Sequence, residues 1–141
     1  MNNIDYISLK ISKLSFYLLN ILFFFKKKIF KPSQKKILII NGDFSDLIAK
    51  NFKKSEIDVV YNRFTRQIER DAEINLYVVF YNFFRLKFSG TEYVKTYIDF
   101  CKPKLMITLI DNDIFFYRLK NLYPHVKAIS IQNSLRSTQG D

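Results

Sequence analysis

The sequence contains no tryptophan, one cysteine, one histidine, three glycines and three prolines among 141 residues. A single cysteine, Cys101, excludes an intramolecular disulfide framework and a cysteine-based zinc site, and it suits a reducing compartment. A single histidine, His125, excludes a multi-histidine metal site; no metal and no cofactor are expected. The scarce glycines build no phosphate loop. Neither G-x-G-x-x-G nor G-x-x-x-x-G-K-S/T occurs, and Gly42 stands alone. With so few chain breakers, regular structure is expected over most of the length, and 141 residues suit one domain. What is present is aromatic bulk. Fifteen Phe, nine Tyr and a 48% hydrophobic composition suffice for a packed core, and 26% charged residues argue against a chain buried uniformly in lipid.

Charge is unevenly placed. The formal net charge is +10, and up to Lys36 the lysines at 10, 13, 26, 27, 28, 31, 35 and 36 face only Asp5. These lysines flank a greasy run, Leu14 to Phe25, instead of spreading over a folded face, so nucleic acid is not an expected partner. As a helix the run would extend about 18 Å, short of a hydrocarbon core of about 30 Å. Ile4, Ile7, Ile11, Leu14, Leu18, Ile21 and Phe25 recur at steps of three and four. Residues 1–34 therefore read as a basic amphipathic leader helix. Phe23, Phe24 and Phe25 would enter the surface of an anionic leaflet, and Lys26, Lys27 and Lys28 would meet its headgroups. Two other readings stay open: a helix packed on its own domain or a partner, and a span that includes residues 4–13. Lysines directly after the apolar run speak against a cleaved signal peptide.

From residue 35 onward the pattern alternates between strands and helices. Ile37–Ile40, Ile57–Tyr61, Lys104–Ile110 and Val126–Ile131 are short apolar runs with strand character. Asp43 is a plausible N-cap, with Phe44, Leu47 and Ile48 as the helical face behind it. The apolar stretch Ile74 to Phe88 reads by its length as a buried helix. Ser89-Gly90-Thr91-Glu92 matches a capping box, and Tyr93, Val94, Tyr97, Ile98 and Cys101 form the inward stripe after it. Asp111-Asn112-Asp113 is a turn and N-cap cluster before a helix facing inward through Phe115, Phe116, Leu119 and Tyr123, which Pro124 ends. The expected fold is α/β, a Rossmann-like parallel sheet of about four strands flanked by helices over residues 35–141, preceded by the leader helix.

In such sheets ligands gather outside the carboxyl ends of the strands. Polar clusters follow three of these ends: Asn41 with Asp43, Asp111 with Asn112, and Gln132 with Asn133 and Arg136. Turn and capping chemistry alone would also explain Asp43 and Asp111. Arg63, Arg66 and Arg70 would share a helical face that could hold an anion, although Glu69, Asp71 and Glu73 are ready partners. Cys101 reads as core and His125 as surface. Ser134 lacks a nucleophile-elbow context.

The segment from Pro103 to Asp141 reads PKLMITLIDNDIFFYRLKNLYPHVKAISIQNSLRSTQGD. Its strand with an IDN turn, FYRL helix, YP stop and strand ending in IQN with Arg136 close behind resemble surface-carbohydrate biosynthesis proteins with a glycosyltransferase-B-like fold. Ile74–Leu76 and the Tyr-rich Tyr93–Tyr97 are similar too, while Ser134 stands where that family has Gly. The resemblance covers roughly Lys36 to Asp141. It implies the amino-terminal half of a two-domain protein of polysaccharide or lipopolysaccharide biosynthesis. That half would face a glycan or lipid-linked acceptor through Asp111, Asn112, Gln132, Asn133 and Arg136. A missing carboxyl-terminal domain or split partner would bind the nucleotide sugar. The chain is then expected to be truncated, inactive alone, and peripheral on the cytoplasmic face of a membrane. The alternative is a non-enzymatic α/β module that docks through its leader helix.

Overall fold

The computed structural model describes residues 26–41, 48–62, 73–110 and 113–131. Four short runs form one sheet: β2 (Ile37–Ile40), β3 (Ile57–Val60), β5 (Leu105–Thr108) and β6 (Lys127–Ser130). Two three-residue strands, β1 (Lys26–Lys28) and β4 (Glu73–Asn75), pair separately. The helices are α1 (Leu76–Phe84), α2 (Gly90–Cys101) and α3 (Ile114–Leu122). Contacts group the chain into two compact units, Met1–Pro32 with Tyr61–Thr96, and Ser33–Val60 with Tyr97–Asp141.

The second unit holds the four-stranded sheet, in the order β3-β2-β5-β6, and every pairing is parallel. The expected α/β fold with a parallel sheet is present. Its register is regular: Ile57, Ile37, Leu105 and Lys127 form one row at the amino ends, and Val60, Ile40, Thr108 and Ser130 form the row at the carboxyl ends. All four residues of β2 are buried, as an inner strand covered on both faces requires. The two-residue side-chain period splits them. Ile37 and Ile39 pack with Ile57 and Ile107, against Ile48 and Ala49 of the crossover to β3. Leu38, Ile40 and Met106 are fully buried on the opposite face. The carboxyl-terminal part of α2 gives this unit Tyr97, Ile98 and Cys101, all buried. Tyr97 donates to Asp58 Oδ2 at 2.8 Å, and the backbone of Lys35 donates to the Cys101 carbonyl. Phe116 and Leu119 are the buried face of α3, and Tyr123 closes its carboxyl end by donating to Asp99.

The first unit departs from expectation in two places. The leader helix was expected to extend across Lys26, Lys27 and Lys28; these residues instead form β1, parallel to β4, with Lys26 opposite Glu73 and Lys28 opposite Asn75. Lys28 forms an ion pair with Glu73 at 2.6 Å, and the open backbone edge of β4 gives three lysines a ladder that a solvated helix end lacks. The rest of the leader, with Phe23, Phe24 and Phe25, lies outside the described residues. The apolar stretch from Ile74 is not one buried helix. Asn75 ends β4 and caps α1, its Oδ1 accepting from Val78 N at 3.1 Å. By contacts, Tyr61–Thr96 groups with the residues before Ser33.

Ser89 caps α2 as expected, its hydroxyl oxygen accepting from Glu92 N at 3.1 Å. Among the described residues no helix is long and apolar enough to cross a membrane.

Candidate functional site

The carboxyl-end rim of the four-stranded sheet carries the best-defined polar arrangement in the second unit. From β2 the chain crosses to β3 on one side; from β5 it crosses through α3 to β6 on the other. β2 and β5 are neighbours, so the direction of winding reverses between their carboxyl ends. This is the position at which open parallel sheets form ligand crevices, because the two crossovers diverge and leave the strand tips uncovered.

Asn41 and Asp113 meet at that point. Asn41 directly follows β2 and has φ of 53°, a left-handed conformation that asparagine tolerates better than most residues. Its backbone N–H donates to the Val60 carbonyl, and its side-chain amide donates to Asp113 Oδ2 at 2.9 Å. The other carboxylate oxygen of Asp113 accepts from Phe115 N at 3.0 Å and caps α3. Both residues are buried, at 8% and 6% exposure. One carboxylate thus fixes the start of α3 to the end of β2. Next along the rim, the buried Thr108 hydroxyl accepts from Ile110 N, and its carbonyl accepts from Ile131 N at 2.9 Å. The Ser130 hydroxyl donates to the Ile110 carbonyl. These bonds fix Ile110 beside the end of β6.

Of the residues expected to bind substrate, Asn41 stands on this rim. Asp43, Asp111, Asn112, Gln132, Asn133 and Arg136 lie outside the described residues, as do Arg63, Arg66 and Arg70. The described neighbours Ile110, Asp113 and Ile131 bring the segments after β5 and β6 to the same edge. Sequence reading took Asp113 only as a helix cap and missed its bond to Asn41. The two residues are 72 positions apart, and no local spacing signals their contact.

Cys101 is buried in the second unit and His125 is exposed beside Tyr123. Among the described residues no cluster of three or more His, Cys, Asp or Glu could hold a metal ion. Two carboxylates sit below the ordinary glutamate range. A hydrogen bond from Lys36 lowers Glu56, and hydrogen bonds from Lys95 and then Lys87 lower Glu92. The Glu56 pair lies at the amino ends of the strands, opposite the rim, and the Glu92 pair belongs to the first unit.

Comparison of the chain with protein-family models, with curated proteins and with solved structures finds no match.

Proposed function

We propose that the four-stranded sheet is the acceptor-recognition domain of a glycosyltransferase-like protein of surface-polysaccharide biosynthesis, working at the cytoplasmic face of a membrane. The observation that carries this reading is the buried Asn41–Asp113 link at the reversal of winding, with the segments after β5 and β6 at the same edge. A buried carboxylate held at both oxygens gives the rim a rigid floor. In sequence, Asp111 and Asn112 directly precede Asp113, and Gln132 and Asn133 come directly after Ile131, with Arg136 close behind. Amide, carboxylate and guanidinium groups in such number suit a ligand dense in hydroxyls, since each can pair with a sugar hydroxyl. The short motifs of Pro103–Asp141, which resemble those of surface-carbohydrate proteins, are in keeping with the same class. A nucleotide diphosphate suits the rim less well, because the sequence offers no glycine-rich loop whose backbone N–H groups would wrap it.

The test is a titration of the purified chain with oligosaccharides and, separately, with nucleotide-diphosphate sugars, followed by ligand-observed NMR. Saturable oligosaccharide binding that weakens in Gln132→Ala and Arg136→Ala variants is the expected result. Tight binding of a nucleotide sugar, with none of any oligosaccharide, overturns the reading.

A further inference from the structure

Helix α1 is amphipathic in the reverse of the usual sense. Its buried residues are Val78 and Asn82, and the Asn82 side chain is satisfied inside by the Thr96 hydroxyl, which donates to Oδ1 at 2.7 Å. Its other side is aromatic: Phe80 and Phe83 are exposed, and Phe84 is 82% exposed. A helix face that only met water would hold charged or polar residues there. Phe88 extends the patch beyond the helix, and Phe83 contacts both Phe84 and Phe88 edge-to-face at 5.9 and 5.6 Å.

The end of α1 is independently telling. The Lys87 N–H donates to the Asn82 carbonyl and the Leu86 N–H to the Phe83 carbonyl, the paired bonds of a Schellman turn. The left-handed position of that turn is ordinarily glycine. Here it is Leu86, with φ of 56° and 79% exposure. A leucine held in that conformation is strained, and it presents one more apolar side chain beside Phe84 and Phe88.

The charges around the patch select the medium. Arg85 and Lys87 lie within the aromatic run, Arg85 over the Tyr81 ring and Lys87 paired with Glu92. The acids among the described residues of this unit, Glu73 and Glu92, are already ion-paired, to Lys28 and to Lys87 with Lys95. Aromatic and leucine side chains flanked by long basic ones match the boundary between acyl chains and anionic headgroups. There the rings enter the boundary and the ammonium and guanidinium groups extend back to phosphate.

We propose that Phe80, Phe83, Phe84, Leu86 and Phe88 form an interfacial docking face for an anionic lipid leaflet, with Arg85 and Lys87 at the headgroups. At roughly 13 Å, α1 lies along the surface and does not cross it. The face uses residues distinct from the leader run, and it stands even if the rim binds no glycan.

The absence of tryptophan makes the test direct. In the full chain, Phe84→Trp creates a lone indole on the face. With phosphatidylcholine vesicles containing phosphatidylserine, its emission shifts to the blue and is quenched when the acyl chains are brominated. Pure phosphatidylcholine gives a weaker response, and added salt reduces the anionic one. The doubly substituted Phe80→Ser/Phe84→Ser chain, checked for fold by circular dichroism, loses roughly tenfold in vesicle partitioning, as the removed apolar area requires. Leu86→Gly keeps the turn and loses binding to a smaller extent. Ile114→Ser, an exposed apolar site in the other unit, changes nothing. An indole that stays unquenched while the chain pellets with vesicles overturns the proposal, because the leader alone would then hold it. A blue shift that follows protein concentration and ignores lipid also overturns it, in favour of contact between copies.

Discussion

The side-chain amide of Asn41 reaches Asp113 Oδ2 across the sheet's reversal of winding, joining the tip of β2 to the first turn of α3. Asn41→Ala removes the donor, leaves a buried carboxylate oxygen short of a partner, and puts φ of 53° on alanine, which lacks the polar side chain that eases asparagine into that conformation. The expected loss is about 2–3 kcal/mol in chemical denaturation. Asn41→Gly loses the donor but not the backbone freedom, so its loss is smaller. Equal losses would mean that the left-handed backbone carries no weight; no loss in either would remove the link from the stability of the domain.

The buried Asn82–Thr96 pair ties α1 to α2. Thr96→Val keeps the shape and withdraws the hydroxyl donor from Asn82 Oδ1, at a cost of about 1–3 kcal/mol. Replacing both partners, as Asn82→Leu with Thr96→Val, recovers part of that cost because no buried polar group is then left orphaned. A thermodynamic cycle over the four chains measures the coupling, and additive losses would show that the bond contributes nothing.

Gly90 begins α2, where alanine would be favoured by helix propensity by about 1 kcal/mol. A Cβ there would stand 2.0 Å from the Asn62 carbonyl oxygen, a backbone atom that cannot swing aside. Gly90→Ala is therefore destabilising, by about 1–3 kcal/mol, against the propensity. A rise in melting temperature would show that the two segments part at no cost.

Glu92 accepts from Lys95 at 2.8 Å and pairs with Lys87 at 3.0 Å, which holds its carboxyl below the ordinary glutamate range. The folded chain thus binds this proton less readily than the unfolded chain. The resulting stabilisation is complete above the ordinary glutamate value and is lost as pH falls through that value and then through the lower folded one. Screening at this partly open site limits it to about 0.5–1 kcal/mol. Glu92→Gln should lower the melting temperature slightly at neutral pH and leave it unchanged in acid. A deficit that persists in acid would assign the effect to packing instead of charge.

Much of the second unit was legible in the sequence. Ile37–Ile40 and Leu105–Thr108 are short, β-branched and bounded by turn residues, so burial on both faces was the one economical reading. Asp113 was legible as a cap because capping is local. Its bond to Asn41 was not, since it depends on which strands become neighbours. The first unit was harder. Lys26–Lys28 has no intrinsic strand character and becomes a strand by pairing with β4, and the apolar stretch after Ile74 suggested burial where only one side of α1 is covered.

The chain's own composition and periodicity determined the elements that local physics controls: caps, apolar strand runs, the inward stripe of α2 and the concentration of positive charge near the start. Tertiary structure decided which ends meet and which apolar surface stays outside. Hydrophobicity along a sequence states how strongly a side chain avoids water, but only the packing of its neighbours decides whether protein or some other apolar medium meets that demand.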